Sequence, residues 1–195
     1  KVVFLGIGFE TTAPTIAATI KTAKQEGLEN FSVLSLHKLL PPAMEALLSG
    51  GESRVDGFIC PGHVSVMIGT DAYEAVVRQY GTPCVVVGFE PTDILEGLYR
   101  LIRLLESNEA AVEIQYSRVV QPEGNVKAMQ LLNEVFEPAR AAWRGKRRGA
   151  CSPLSSRDRR MGGPGGRRDT VFAASALGVY VSFAIKSNQS VTAVY

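Results

Sequence analysis

Cysteine is scarce in this sequence, whose 195 residues include only Cys60, Cys84 and Cys151. Three widely separated cysteines are too few for the disulfide framework of a small secreted protein and for a four-cysteine metal site. A reducing compartment suits such a chain best, so we predict a cytoplasmic location.

The sequence also lacks the marks of an exported or membrane protein. It begins with an apolar segment at residues 2–8, without an initiator Met or a signal peptide, and we interpret this as a fragment whose upstream part is missing. The apolar segment at residues 171–185 is shorter than the roughly 20 residues that span a bilayer. We therefore expect no membrane partner.

Positive charge is sparse in the first part of the chain and concentrated in the last. Residues 1–139 contain ten Lys and Arg against seventeen Asp and Glu, a net charge of −7, whereas residues 140–195 contain eleven against two, a net charge of +9. The acidic part gives no support to nucleic-acid binding. We interpret the basic part as a low-complexity tail that arises from a reading-frame shift, or else as a natural tail that binds nucleic acid or an acidic partner.

Within residues 1–139, short apolar segments alternate with amphipathic segments of helical length. The predicted strands lie near residues 2–8, 31–36, 55–60, 83–87 and 111–116. This alternation is typical of a parallel sheet covered on both faces. We predict an α/β domain over residues 1–139, with a doubly wound parallel sheet of about five strands, and a disordered or poorly packed tail over residues 140–195.

In such a sheet the turns that follow the strands all lie at the carboxyl edge, where ligands bind. The pattern places both histidines of the chain at this edge. The predicted edge residues are Glu10, Thr11, Thr12, His37, Lys38, Cys60, His63, Ser65, Glu90 and Thr92.

The segment Cys60-Pro61-Gly62-His63-Val64-Ser65 is the strongest candidate among these turns. An apolar strand that stops at Pro-Gly and then presents His and Ser can deliver side chains into a crevice. The alternative is a tight turn with a capping serine and a satisfied histidine. A cysteine in an apolar segment is more often a core residue than a nucleophile or ligand, and Cys84 is interpreted as core.

Two predicted turns have similar sequences, and we call them the echoing turns: Gly8-Phe9-Glu10-Thr11-Thr12 and Gly88-Phe89-Glu90-Pro91-Thr92. The shared residues suit one geometric task, with Gly for a close turn, Phe packed under the helix and Thr as a cap. The glutamates are harder to explain in this way, because a turn does not need a carboxylate. They remain candidates for function.

Several familiar enzyme motifs are absent. Gly6-Ile7-Gly8 resembles the start of a dinucleotide fingerprint, but Thr11 stands where a third glycine would be expected and His37 ends the second strand. No Walker motif and no Gly-x-Ser-x-Gly elbow occurs. The sequence therefore argues against NAD binding and against these hydrolase classes.

Four motifs in register resemble the HypD family of hydrogenase formation proteins, from the first residue to about Trp143. They are Gly8-Phe9-Glu10-Thr11-Thr12-Ala13-Pro14, His37-Lys38-Leu39-Leu40-Pro41-Pro42-Ala43-Met44, Asp56-Gly57-Phe58-Ile59-Cys60-Pro61-Gly62-His63-Val64-Ser65 and Gly88-Phe89-Glu90-Pro91.

The resemblance implies a cytoplasmic scaffold for assembly of the Fe(CN)2CO centre of [NiFe]-hydrogenases. Such a scaffold would act with a HypC-type chaperone and a HypE-type cyanide donor, and would handle iron. The implied cleft residues are Glu10, Thr11, Thr12, Pro61, Gly62, His63 and Ser65, with Gly8, His37, Cys60 and Glu90 as further candidates.

The sequence also departs from the family pattern. The family has Cys-Gly-x-His and Cys-Pro-x-Cys segments and a set of cysteines for a [4Fe-4S] cluster, and none of them occurs here. We therefore expect no complete metal site in this chain. A different class of function also stays open, in which an α/β enzyme or small-molecule-binding domain uses His63 and Glu10 for acid–base chemistry.

Overall fold

The computed structural model describes residues 1–49 and 55–139, together with the backbone of two short strands, Ser182–Ile185 and Thr192–Ala193. The chain divides into two compact units. Of the described residues, the first unit contains 1–42, 130–139 and the two short strands, and the second contains 43–49 and 55–129.

The first unit is built on a parallel sheet whose central strand is β2 (Phe31–His37). β1 (Val2–Gly8) pairs with β2 along its whole length, from Val2 opposite Phe31 to Gly8 opposite His37. β8 (Thr192–Ala193) pairs with the other edge of β2. β6 (Phe136–Ala139) and β7 (Ser182–Ile185) form an antiparallel pair.

Helix α1 (Ala13–Gln25) covers this sheet because its apolar residues recur at helical spacing. Pro14 lies in its first turn, where a proline removes no hydrogen bond. Gly27, just beyond its end, has a φ of +67°, which glycine adopts at little cost. The buried core of the unit consists of Ala13, Ile16, Ala17, Ile20, Ala23, Val33, Leu39, Leu132, Val135 and Phe136.

The second unit contains another parallel sheet, in the order β3-β4-β5. Its strands are β3 (Phe58–Pro61), β4 (Cys84–Val87) and β5 (Val112–Ile114). All four residues of β4 are buried, as the central strand of a covered sheet requires. Helices α3 (Gly62–Ile68), α4 (Asp71–Tyr80) and α5 (Pro91–Glu106) connect the strands. Val85 and Val87 pack against Leu101 and Leu104 of α5.

Two helices cross the boundary between the units along the chain. α2 (Leu40–Leu48) begins in the first unit, and α6 (Val126–Val135) ends in it. None of the helices in the described ranges is both long and apolar enough to cross a bilayer.

The predicted α/β class with parallel strands and flanking helices is confirmed. The five predicted strands are present, but among the described residues they lie in two sheets rather than in one. The apolar pattern of a strand indicates only that the strand is buried. Which strands pair depends on residues far apart in the chain, so the prediction of one single sheet was wrong. The predicted boundary at residue 139 and the predicted disorder of residues 140–195 stay predictions. Within that tail the structure describes only the backbone of β7 and β8, which pair with β6 and β2, and the rest of the tail lies outside the described residues.

Candidate functional site

Both units bring predicted site residues to the carboxyl ends of their parallel strands. In the first unit, Glu10 follows β1 and His37 ends β2. His63 and Glu90 follow β3 and β4 in the second. The hypothesis that Glu10 and His63 face one cleft stays a prediction, since the two residues belong to different units.

Glu10 is a buried carboxyl with one satisfied oxygen. Its Oε1 accepts a hydrogen bond of 2.6 Å from the N–H of Leu40, the first residue of α2, so that the side chain caps this helix. Its Oε2 has no hydrogen-bond partner in the described part of the chain. Burial raises the pKa of Glu10, and the bond from Leu40 opposes this shift. Such a carboxyl can hold or release a proton closer to neutral pH than an exposed glutamate.

His37 is completely buried at the end of β2. The Oγ of Ser35 lies 3.2 Å from its Nδ1, and no described residue pairs with its Nε2. Burial lowers the pKa of His37 to about 4, so the imidazole is neutral at pH 7. A Cβ on Gly6 would lie 2.8 Å from Cε1 of His37, and the glycine therefore makes room for the ring.

The turn after β1 is shaped by Gly8 and Thr12. Gly8 has a φ of +150°, and a Cβ there would collide with Oγ1 of Thr12. Thr12 occupies the predicted N-cap position of α1, but its side chain makes no capping bond and donates instead to the carbonyl of Phe9 at 3.3 Å. Thr11 and Thr12 are exposed, so their hydroxyls can meet a ligand at this turn.

In the second unit, His63 is the second residue of α3 and lies two residues after Pro61, the last residue of β3. Its exposed imidazole packs against the ring of Phe89, with the centroids 4.3 Å apart and the planes tilted by 35°, and the centroid of the Tyr116 ring lies 6.4 Å away. The three strand ends of this sheet therefore meet around one histidine. An exposed imidazole between aromatic rings can bind a metal ion or exchange a proton.

The glycines of two predicted motifs make room for Tyr116. A Cβ on Gly62 would lie 2.6 Å from Cδ1 of this ring and 2.6 Å from the carbonyl oxygen of Val87. A Cβ on Gly88 would lie 2.7 Å from Cδ2 of the ring and would collide with the carboxylate of Asp93. Both turns therefore need glycine for close packing rather than for a special φ.

The guanidinium of Arg118 lies over the Tyr116 ring and forms an ion pair with Asp93. Arg118 donates two hydrogen bonds to Asp93, of 2.9 and 2.7 Å, and its Cζ lies 4.3 Å from the centroid of Tyr116. Gln115 donates to Asp93 at 2.9 Å and accepts from the N–H of Gly88 at 3.2 Å. The hydrogen bonds from Arg118 and Gln115 hold the pKa of Asp93 well below its usual range, and Asp93 raises that of Arg118.

Sequence reasoning missed Gln115, Tyr116 and Arg118. Gln115 and Tyr116 were missed because the fifth strand was predicted to run to residue 116, whereas β5 ends at Ile114. Arg118 follows even the predicted strand, so applying the rule for ligand positions to this strand end would have found it. Asp93 was missed because it lies within the first turn of α5, where an acidic residue is common.

Ser65 and Cys60 are buried. The Oγ of Ser65 donates to the carbonyl of Pro61 at 2.9 Å and lies 2.9 Å from the hydroxyl of Tyr73. The hydrogen bond with Cys84 and burial both raise the pKa of Cys60 well above its usual value. The predicted core position of Cys84 is confirmed, since its side chain is fully buried.

The two echoing turns have different environments. Glu10 is buried, whereas the side chain of Glu90 is 72% exposed and lies 3.7 Å from Arg118. Phe9 and Phe89 are exposed, so the expected packing of both rings under the helices was wrong. Phe89 instead supports His63, a contact that local sequence does not reveal.

The donor set does not fit an iron–sulfur cluster. Within the described ranges, no three His, Cys, Asp or Glu residues are grouped so as to hold a metal ion. The two cysteines described there, Cys60 and Cys84, are both buried, and the pKa of Cys60 is raised, whereas a [4Fe-4S] cluster takes thiolates, usually four.

These features define an α/β protein that gathers polar and aromatic side chains at the carboxyl ends of parallel strands, the usual position of a binding site. The model of the family described as "HypD: Hydrogenase formation hypA family" matches residues 1–158. The chain belongs to the HypD family, and the resemblance seen in its motifs is confirmed.

Relatives from several bacteria support this assignment. The chain is 49% identical over 150 residues to hydrogenase maturation factor HypD of Azotobacter vinelandii, covering 74% of this chain and 40% of that protein. It is 45% identical over 146 residues to HypD of Rhodobacter capsulatus and 43% identical over 146 residues to HypD of Escherichia coli strain K12, in each case covering 74% of this chain and 39% of the relative. The chain thus spans about 40% of the length of the curated relatives it matches.

Proposed function

We propose that this chain is the central part of a hydrogenase maturation scaffold, on which the Fe(CN)2CO centre of a [NiFe]-hydrogenase is assembled. The observation that carries the proposal is the identity of 43 to 49% to proteins named hydrogenase maturation factor HypD. The position of the family-like motifs at strand ends supports it, because side chains there can reach a bound group.

In each unit considered by itself, the chemistry of the strand ends suits a ligand-bearing iron as substrate. The exposed imidazole of His63 offers a nitrogen donor, which iron accepts. The exposed hydroxyl of Thr11 can donate a hydrogen bond to a polarised cyanide nitrogen, and that of Thr12 can do so once it gives up its bond to the carbonyl of Phe9. Glu10 has an unpartnered carboxyl oxygen with which to accept or deliver a proton.

The further parts of the proposal concern partners and location. The scaffold would work in the cytoplasm with a HypC-type chaperone and a HypE-type cyanide donor. Iron would be its cargo, and a [4Fe-4S] cluster would be held by parts of the whole protein other than the described residues.

A chimera provides the test. Residues 1–139 of this chain would replace the matching segment of full-length E. coli HypD, and hydrogenase activity would be measured in cells that lack their own HypD. We expect activity with the chimera and its loss with His63→Ala. The substitution should change the free energy of unfolding by no more than about 1 kcal/mol, because an exposed side chain contributes little packing.

Arg78→Ala is the control, since Arg78 lies on the last turn of α4 and makes none of the contacts described around His63. It should leave hydrogenase activity unchanged. An inactive chimera that folds would contradict the proposal, as would full activity with His63→Ala. If His63→Ala unfolded the chimera, the histidine would have a structural role instead.

A further inference from the structure

We propose that Arg118 and Tyr116 are positioning residues that hold the His63 imidazole against Phe89 at the carboxyl edge of the second sheet. This proposal rests on the proposed function, because it concerns the positioning of His63, which acts in that function. All the residues concerned belong to the second unit.

The first step is the anchoring of Arg118. Its two terminal nitrogens donate to the two oxygens of Asp93, which is almost fully buried in the first turn of α5. A bidentate arginine–carboxylate pair fixes the plane of the guanidinium as well as its position. Gln115 donates to the same carboxylate and accepts from the backbone of Gly88, which ties the pair to the turn after β4.

The second step is the effect on Tyr116. The guanidinium lies over the ring at 4.3 Å, a cation–π distance, and so covers its outer face. Gly62 and Gly88 allow the ring to pack closely on the backbone of both neighbouring turns. The ring is therefore held by a fixed cation on one side and by the glycine turns beside it.

The third step is the effect on His63. Its imidazole has Phe89 at 4.3 Å and Tyr116 at 6.4 Å on ring centroids. The residue is exposed and forms none of the described side-chain hydrogen bonds, so these two rings are what limits its rotamers. Loss of the arginine or the tyrosine would leave the imidazole free to leave Phe89.

The test uses the full chain, with histidine labelled by carbon-13 for NMR. The chain has only two histidines, so a His37→Gln variant assigns both sets of ring signals. We expect nuclear Overhauser cross-peaks between the ring protons of His63 and Phe89 in the wild type. Arg118→Ala and Tyr116→Leu should remove these cross-peaks together with the ring-current shift of the His63 signals.

Two matched controls accompany the variants. Arg100→Ala removes another ion-paired arginine of the same unit, one that pairs with Glu96 and Glu113. Tyr99→Leu removes an exposed tyrosine of α5. Both should leave the cross-peaks intact. Arg118→Lys, which keeps the cation but not the two-pronged contact, should restore part of the cross-peak intensity, and circular dichroism would confirm that every variant folds.

Maturation by the chimera gives a second measurement. Arg118→Ala should lower it roughly 10- to 100-fold, the range expected when a supporting residue no longer orients a functional group. Unchanged cross-peaks in both Arg118→Ala and Tyr116→Leu would overturn the proposal. An inactive parent chimera would count against the proposed function alone, because the NMR measurement does not depend on maturation.

Discussion

The buried His37 predicts an acid-sensitive contribution to stability. Its pKa falls from 6.5 to about 4 on folding, so the unfolded chain binds a proton more readily than the folded one between these values. The stability due to His37 is therefore present above pH 6.5 and is lost as the pH falls towards 4. At about 1.4 kcal/mol for each pH unit, the loss reaches about 1.4 kcal/mol at pH 5.5 and about 3 kcal/mol at pH 4.

The assay is urea unfolding of the full chain and of His37→Gln, at intervals from pH 7 to pH 4. Other carboxyls titrate in this range too, so the quantity to follow is the difference in unfolding free energy between the two proteins. We expect wild type to lose about 3 kcal/mol relative to His37→Gln between pH 7 and pH 4. Thr19→Gln, which places the same side chain on the exposed face of α1, should follow the wild type at every pH.

Glu10 acts in the opposite sense and must be separated from this effect. Its pKa is raised on folding, so its contribution is present below the ordinary carboxyl value of 4.5 and declines as the pH rises through the folded-state pKa. When both proteins also carry Glu10→Gln, the difference in unfolding free energy between the chain with His37 and the His37→Gln variant should depend on pH in the same way. A difference that stays constant from pH 7 to pH 4, or grows in favour of wild type, would refute the reasoning.

Two further predictions concern packing and the cofactor. Gly88→Ala should lower the unfolding free energy by about 2 kcal/mol in urea titrations, because the added Cβ would collide with Asp93 and crowd the ring of Tyr116. The control is Glu109→Ala, an exposed position where a change of about 0.5 kcal/mol is expected. A loss in Gly88→Ala no larger than that of the control would refute the prediction. The full chain should retain no [4Fe-4S] cluster after anaerobic reconstitution with iron and sulfide followed by desalting, because Cys60 and Cys84 are buried in the sheet; about four irons per chain with a charge-transfer absorption band would contradict this.

Local sequence was sufficient to predict most elements of the fold. The strands β1, β2 and β4 were found close to their observed bounds because each is a short apolar segment between turn residues. Helix α3 was missed, since only seven residues separate the end of β3 from Gly69 and the segment has no amphipathic period long enough to detect. The pairing of strands into two sheets depends on contacts across the fold, which local periodicity does not contain.

The candidate site was predictable in position more than in detail. The rule that ligands bind at the carboxyl ends of parallel strands located Glu10, His37 and His63 correctly at strand ends. It could not separate Glu10 from Glu90, whose sequence contexts match but whose burial differs. The contacts that decide the difference join residues far apart in the chain, such as Glu10 with Leu40 and Asp93 with Arg118.

Infrared spectroscopy of the chimera would show whether this segment supports assembly of the Fe(CN)2CO centre. The chimera of residues 1–139 in full-length E. coli HypD would be purified without oxygen from cells that express the other maturation proteins. Bound cyanide and carbonyl have stretching bands well separated from those of protein. We expect these bands in the chimera and their loss in His63→Ala, with Arg78→Ala unaffected. A folded chimera without the bands, or a His63→Ala chimera that keeps them in full, would contradict it.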